Sequence, residues 1–255
     1  MSTRLLAIES ATDWLSIALL EDGAVVLSRE SNETRQHASA LMPLIQAALA
    51  ELEWSVSVFD ALAVSAGPGS FTSLRIGLAT AKGLAFGREW RAIGVSTLET
   101  MALGVVESSS STQSMQSAEG HEVIALLDAR RGEWYAGGYF ATASGALRPG
   151  LAEGLYDPAS LAEDRKAKVV LCCPERGDWW TDFEAAGLQV TGRIEGPAAQ
   201  PRATQVGRLG AAALARGEGV PAEALVARYL RRAEAEAKRL GGPVEEGELS
   251  RVSRP

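Results

Sequence analysis

A glycine-rich turn between an apolar run and a patterned helix constrains the fold of this chain most. Residues 61–65 form an apolar run that predicts a buried strand, and Gly67-Pro68-Gly69 follows as a tight turn. A helix is predicted over 73–86, in which Gly77 and Ala81 continue a spacing of small residues at every fourth position. The first N–H groups of a helix lack partners and its dipole favours negative charge, so this glycine corner can hold a phosphate. Close helix packing is the alternative, and the pattern alone leaves both open.

Length and composition narrow the class of protein. The 255 residues, 46% of them hydrophobic, suffice for one large domain or two ordinary ones. No apolar run reaches the ~18 residues of a membrane span, and residues 1–4 lead into a strand without a signal-peptide pattern, so we expect a cytoplasmic protein. The net charge of −7 disfavours a stand-alone nucleic-acid binder, but not a subunit whose partner holds RNA. Cys172 and Cys173 are adjacent and would point to opposite faces of a strand, which predicts buried, reduced thiols.

Hydrophobic periodicity predicts an α/β chain with a mixed sheet. Three antiparallel strands open it, with Asp22-Gly23 at a hairpin turn, and helices and strands then alternate. Pro43 is expected to kink or restart the first helix, which Ser31 or Asn32 can cap. The predicted strands are 5–10, 14–20, 24–28, 61–65, 91–95, 123–127, 133–140, 147–155, 168–173 and 189–191, and the predicted helices are 31–52, 73–86, 97–105, 157–163, 179–186 and 203–216.

These elements divide into two similar units that each open with a hairpin, which predicts a duplicated fold. The first lobe is expected over 1–106 and the second over 121–232, with a late helix that can pack on the first lobe. Residues 107–120, dominated by Ser, Gln and Thr, are expected to form a mobile loop. Residues 233–255 mix charges without an apolar stripe and are expected to be largely disordered.

The familiar catalytic fingerprints fail in this chain. The glycine corner lacks the Lys of a P-loop and the last glycine of a dinucleotide fingerprint. Ser65 is one residue short of a nucleophile elbow, and no histidine follows residue 121, whereas the order in hydrolases places the histidine last. His37 has no second imidazole one turn later, so no metal site is expected. Glu9, at the end of the first strand, is the one acidic residue expected to face a cleft, and the hairpin at 128–133 is either a solvated turn or one that faces a partner or a cleft.

Five segments of the chain together form a recognisable set, and they are Leu6-Ala7-Ile8-Glu9-Ser10-Ala11-Thr12, Gly67-Pro68-Gly69-Ser70-Phe71-Thr72 through Lys82-Gly83-Leu84-Ala85, Ile93-Gly94-Val95-Ser96-Thr97-Leu98, Leu127-Asp128-Ala129-Arg130-Arg131-Gly132-Glu133 and Tyr229-Leu230-Arg231. In this order they resemble the TsaB/YeaZ family, the glycoprotease-like, non-catalytic B subunit of the bacterial machinery for tRNA threonylcarbamoyladenosine. The resemblance is strong over about residues 4–105, weaker to about 232 and absent beyond.

This resemblance implies an actin-like, Hsp70-type ATPase (ribonuclease H-like) fold, with two lobes that each hold a mixed sheet and flanking helices. It also implies a non-catalytic scaffold that dimerises with the catalytic D-type paralogue through its first two helices, or with its own copy when alone. An ATPase subunit would join them, and no cofactor, metal, membrane or direct tRNA contact is expected. The catalytic paralogue binds metal through paired histidines, whereas this chain has His37 alone at that helix.

Two sets of residues follow from the resemblance and the patterns. The family usually has Asp where this chain has Glu9 and Gly where it has Ser73, so the corner is expected to be a degenerate phosphate site. A self-standing metal-dependent peptidase-like or ATP-using enzyme of the same fold is the alternative, and the ATP-using form would need this corner to hold Mg-nucleotide. The candidate interface residues are His37, Leu41, Leu44, Ile45, Leu74, Gly77, Leu78 and Ala81, and the candidate corner residues are Glu9, Ser10, Gly67, Gly69, Ser70 and Thr72.

Overall fold

The computed structural model describes residues 2–31, 36–109, 121–163, 165 and 167–231. Asn32, most of the predicted loop at 107–120 and the predicted tail at 233–255 lie outside these residues. None of the described helices has the length and apolar character that crossing a membrane requires. The strands are β1 Arg4–Glu9, β2 Leu15–Glu21, β3 Ala24–Ser31, β4 Ala61–Gly67, β5 Arg91–Ser96, β6 Glu122–Asp128, β7 Trp134–Ala141, β8 Leu147–Pro149, β9 Gly154–Tyr156, β10 Lys168–Cys173, β11 Gln189–Glu195 and β12 Val220–Pro221, and the helices are α1 His37–Glu51, α2 Phe71–Ala85, α3 Thr97–Ser109, α4 Pro158–Ala162, α5 Thr181–Ala185 and α6 Ala203–Ala215.

Two six-stranded mixed sheets of similar topology form the two lobes. The first runs β12-β5-β4-β1-β2-β3, with β1, β4 and β5 parallel and β2 and β3 antiparallel. The second runs β11-β10-β6-β7-β8, with β9 also pairing with β7. In both sheets a hairpin supplies the antiparallel half and later strands the parallel half. Two lobes that each carry a mixed sheet and flanking helices confirm the predicted actin-like fold class.

Each sheet is covered on both faces, and two helices cross the boundary that the sequence suggests. In the first lobe, α1 and α2 cover one face while α6 covers the other with Ala203 and Val206. In the second lobe, α3 covers one face, and α4 and α5 cover the other. The apolar face of α3 packs in the second lobe although α3 precedes the predicted boundary at 106, and α6 packs in the first lobe although it follows that boundary. The lobes are therefore not two consecutive segments of the chain.

Local differences from the predicted elements have simple causes. Ser31 completes β3 rather than capping a helix, and α1 begins at His37. The helix runs without interruption through Pro43, and Ser39, whose carbonyl would have accepted the bond of the missing N–H, is exposed to solvent. The strand predicted over 147–155 divides into β8 and β9 because the chain between them turns around a buried carboxylate, with Leu151 N–H donating to Glu122 at 2.6 Å.

The two cysteines are free, and they pack on opposite faces of the second sheet. Burial raises the pKa of the Cys173 thiol to about 12 and raises that of Cys172 as well. Both thiols therefore stay protonated and unreactive at neutral pH, as their position in a buried strand predicts.

Candidate functional site

The glycine corner connects β4 to α2 and is filled on one side by the loop that follows β1. Ser70 caps α2, with its Oγ accepting from the Ser73 N–H at 3.4 Å. The Ser70 N–H in turn donates to the Ala11 carbonyl at 2.7 Å. A Cβ at Gly69 would lie 2.4 Å from that same carbonyl oxygen, so glycine is needed there to let the loop approach.

A C-terminal segment fills the other side of the corner. Residues 225–231, here called the strap, cross from the first lobe to the second over the end of β4. The Arg228 N–H donates to the Ala66 carbonyl at 2.7 Å. Gly67 has a φ of +117°, and a Cβ on it would lie 2.6 Å from the Arg228 carbonyl oxygen. A phosphate needs N–H donors at a corner of this kind, but here carbonyl oxygens of the chain itself press against Gly67 and Gly69.

Glu9, which the sequence places beside a cleft, is fully buried. Its Oε1 accepts from the Ala11 N–H at 2.6 Å, and its Oε2 has no partner among the described residues. Burial raises the pKa of the Glu9 carboxyl to about 7, although the hydrogen bond from Ala11 opposes the rise. A carboxyl that is half protonated near neutral pH and closed off from solvent is poorly suited to hold Mg²⁺.

The other predicted corner residues do come together, but in contacts within the chain. The Ser10 hydroxyl donates to the Ser73 carbonyl at 3.1 Å, and the Ser10 N–H donates to the Ser65 hydroxyl at 3.1 Å. Thr72, on the first turn of α2, is exposed. Within the described part of the chain, no group of three or more His, Cys, Asp or Glu side chains is placed to hold a metal ion.

Most of the predicted interface residues are buried in the first lobe itself. One buried stripe belongs to α1 and another to α2, and both pack against the first sheet or its loops. A Cβ at Gly77 would lie 2.3 Å from the Ser10 Oγ, so this glycine serves contact with the loop after β1. Only Leu44 of the predicted set is partly exposed. His37, Leu41, Ile45, Leu74, Gly77, Leu78 and Ala81 are buried within the first lobe, so other residues form the exposed surface of the two helices.

The opposite sides of these two helices are exposed and unusually poor in charge. Residues 38–50 of α1 contain no Asp, Glu, Lys or Arg, although Ala38, Pro43, Ala47 and Ala50 are exposed. On α2, Phe71 is 43% exposed, and Phe86, directly after the helix, is 86% exposed. We call the exposed residues of α1 and α2, together with Phe86, the outer face. Surface helices normally carry charges on their solvent side, so this composition is typical of a surface that another protein covers.

The strap holds the two lobes together through residues that single motifs did not identify. Leu225 is buried with the first-lobe core, and Leu230 packs against the second. Arg231 pairs with Glu133 and donates to the Ala129 carbonyl at 2.6 Å, so the hairpin at 128–133 serves as a docking point for the strap. Arg228 pairs with Glu153.

Glu153 is the centre of a polar cluster between the lobes, where it also accepts from the hydroxyls of Ser96 and Tyr139. Burial raises the pKa of Tyr139, which keeps its hydroxyl as a donor. The segment Tyr229-Leu230-Arg231, which is part of the family resemblance, is the sequence pattern that points to the strap. No motif in the neighbouring sequence identifies Glu153 or Arg228.

A cavity of about 430 Å³ lies between α3, α6 and the turn at 144–147. Its charged side chains are largely paired with each other, Arg208 with Glu107 and Arg216 with Glu218. Burial raises the pKa of the Glu99 carboxyl, which also lines this cavity. The paired charges leave this cavity with little to attract an ionic ligand.

Comparison with known proteins gives matches of three kinds. Residues 26–170 match the family model described as TsaD, tRNA N6-adenosine threonylcarbamoyltransferase. A tRNA threonylcarbamoyladenosine biosynthesis protein TsaB of Escherichia coli K12 is 42% identical over 132 residues, which are 52% of this chain and 53% of that protein. The chain thus spans about half the length of the curated relatives that it matches.

Two solved structures from Pseudomonas aeruginosa are similar over nearly the whole fold. One is a crystal structure of a protein with similarity to the peptidase YeaZ, with a TM-score of 0.76 and 31% identity, covering 90% of this chain and 100% of that one. The other is YeaZ, with a TM-score of 0.73 and 31% identity, covering 89% of this chain and 100% of that one. The two-lobed arrangement is therefore shared along the whole length of these relatives.

Proposed function

The chain belongs to the TsaB/YeaZ family, and from this premise we propose that it is a non-catalytic scaffold subunit for threonylcarbamoyl transfer to N6 of the adenosine 3′ of the anticodon in tRNA. It acts by binding the catalytic D-type paralogue through the outer face of α1 and α2. An ATPase subunit joins this pair, the chain pairs with its own copy when the paralogue is missing, and the tRNA is held by the partner rather than by this chain.

The charge-poor outer face carries this proposal. A run of thirteen residues without a charge, 38–50, lies on an exposed helix of a protein whose net charge is −7. Together with the exposed Phe71 and Phe86, it has the depletion of charge and the aromatic content found at the centre of protein interfaces. A specific interface commonly buries about 800 Å² on each partner, and two helices side by side can supply an area of that order.

The filled corner supports the non-catalytic part of the proposal. The carbonyl oxygens of Ala11 and Arg228 lie within the space that a Cβ would take at Gly69 and Gly67, so a nucleotide phosphate would have to displace the strap and the loop after β1. Glu9 is buried and has a raised pKa, which weakens a Mg²⁺ site further. Calorimetry of the full chain with Mg-ATP is expected to show no binding heat at millimolar nucleotide, and saturable heat would favour the ATP-using alternative instead.

Ala47→Glu tests the interface directly. Ala47 is exposed on α1, so the added carboxylate leaves the fold intact but places a charge in the centre of the outer face. When this variant is co-expressed with the TsaD-type chain of the same organism, we expect a mass measurement to show the two separate proteins and no complex. Ala159→Glu is the matched control, because Ala159 is exposed on α4 of the other lobe. If the Ala47→Glu complex has the same mass as wild type, the partner does not bind through this face.

A further inference from the structure

Arg75 is exposed on the outer face, yet its side chain is held in place. Its guanidinium carbon lies 3.7 Å from the centre of the Phe71 ring, and its Nε donates to the Tyr229 hydroxyl at 3.2 Å. The Phe71 and Tyr229 rings also pack against each other, with centroids 5.4 Å apart. One residue of the strap and one of α2 therefore fix a guanidinium that would otherwise be free to move.

A guanidinium carries five N–H donors, of which Tyr229 uses one. The two terminal nitrogens have no acceptor within the described part of the chain. The planar fork that they form matches a carboxylate through two parallel hydrogen bonds. Because Phe71 and Tyr229 already hold the side chain, little further rotamer freedom is lost when such an anion binds.

We propose that Arg75 is the anchor of the outer face and binds a carboxylate side chain of the partner protein, an inference that rests on the proposed function. A positive charge with aromatic neighbours inside a charge-poor surface is the composition of an interface hot spot. No acidic residue occurs between residues 61 and 88, so nothing on α2 competes for the guanidinium.

This surface suits an acidic partner better than a second copy of the chain or an RNA. In a symmetric pair through the same face, residues 61–88 of the second copy would offer Arg75 no carboxylate, since they contain no Asp or Glu. An RNA site would need many phosphate contacts, whereas α1 offers no cation between residues 38 and 50. The anchor thus gives the outer face a preference for the heterologous partner over self-association.

Tyr229 makes the anchor depend on the arrangement of the lobes. The strap that carries it is tied to the second lobe by Arg231, which pairs with Glu133, and by Arg228, which pairs with Glu153. Arg75 itself lies on the first lobe. The guanidinium is therefore fixed only when the strap lies across both lobes, so the partner recognises the assembled two-lobed form.

Three variants of the full chain test the anchor, with affinity for the TsaD-type chain of the same organism as the readout. Arg75→Ala is expected to weaken binding roughly tenfold or more. Arg75→Lys keeps the charge but lacks the fork, so it should recover only a small part of that loss. Tyr229→Phe keeps the ring and removes the acceptor of the Arg75 Nε, so a loss of several-fold is expected, with the thermal unfolding of the isolated chain little changed.

Arg130→Ala is the charge-matched control, because Arg130 is largely exposed on the second-lobe hairpin and its loss should leave affinity unchanged. If Arg75→Ala binds as tightly as wild type while Ala47→Glu does not bind, the anchor is wrong and the proposed interface stands. If both bind as wild type, the proposed function itself fails. If Arg75→Ala instead abolishes binding of tRNA by the isolated chain at low salt, the anion is a phosphate and the carboxylate assignment is overturned.

Discussion

Replacing Glu9 with Gln should change how the stability of this protein depends on pH. The wild-type carboxyl is fully buried, and its pKa is about 7 in the folded chain against an ordinary value of 4.5 for a glutamate. As pH rises through this interval, the unfolded chain releases the Glu9 proton while the folded chain still holds it. The folded state therefore loses stability relative to the unfolded state until the pH has passed about 7, and the whole penalty remains above that pH.

The size of the effect follows from the two pKa values. Their difference corresponds to a penalty of about 3 kcal/mol once both states are ionised, at 1.36 kcal/mol for each pKa unit. Between about pH 5 and about pH 8.5, the free energy of unfolding of wild type should thus fall by about 2.5 kcal/mol relative to Glu9→Gln. A constant cost of fitting the amide beside Ala11 cancels in this comparison, since it applies equally at both pH values.

Urea unfolding of both proteins at several pH values measures this difference. Glu89→Gln provides the control for exchanging a carboxyl for an amide, because Glu89 is exposed to solvent. Parallel stability curves for wild type and Glu9→Gln would mean that Glu9 titrates as an exposed carboxylate does. The account of the corner as a closed, desolvated site would then be refuted.

Two further substitutions should destabilise the fold without touching the outer face. Gly77→Ala would place its Cβ 2.3 Å from the Ser10 Oγ, and chemical denaturation should show a loss of about 1–3 kcal/mol from overpacking; an unchanged midpoint would contradict the packing described here. Arg165→Ala would leave Glu122, only 1% exposed as a side chain, without its cation, and the free energy of unfolding at neutral pH should fall by roughly 3 kcal/mol.

Hydrophobic periodicity and turn residues predict much of the fold, but they do not identify the surface against which a helix packs. The alternation of strands and helices, the Asp22-Gly23 hairpin and the duplication all follow from periodicity and turn chemistry within a few residues. The stripe of Leu74, Leu78 and Ala81 is just as regular and favours a partner interface by its pattern, yet it packs inside the first lobe. An apolar stripe indicates that a face is buried, but it does not identify the surface that buries it. The proposed interface rests instead on the missing charge along the exposed side of α1.

Long-range contacts account for the rest of what the sequence could not show. Arg75 and Tyr229 are 154 residues apart, and Glu153 and Arg228 are 75 apart, so no window of the sequence contains either pair. The exchange of α3 and α6 between the lobes has the same origin, because each helix has an ordinary amphipathic pattern that fits either sheet. Sequence motifs mark both partners of the first contact, the glycine corner with its helix and Tyr229-Leu230-Arg231. They do not show that these two segments touch each other.

The glycine corner shows that a glycine pattern does not by itself identify the group that approaches it. In a nucleotide-binding corner, glycines let backbone N–H groups approach a phosphate. Here the same positions let two carbonyl oxygens of the chain approach instead, from Ala11 and Arg228, and any side chain at Gly67 or Gly69 would collide with them. The strap is held across both lobes by contacts within the chain, because Arg228 pairs with Glu153 and Arg231 pairs with Glu133. These contacts set the position of Tyr229 beside Arg75.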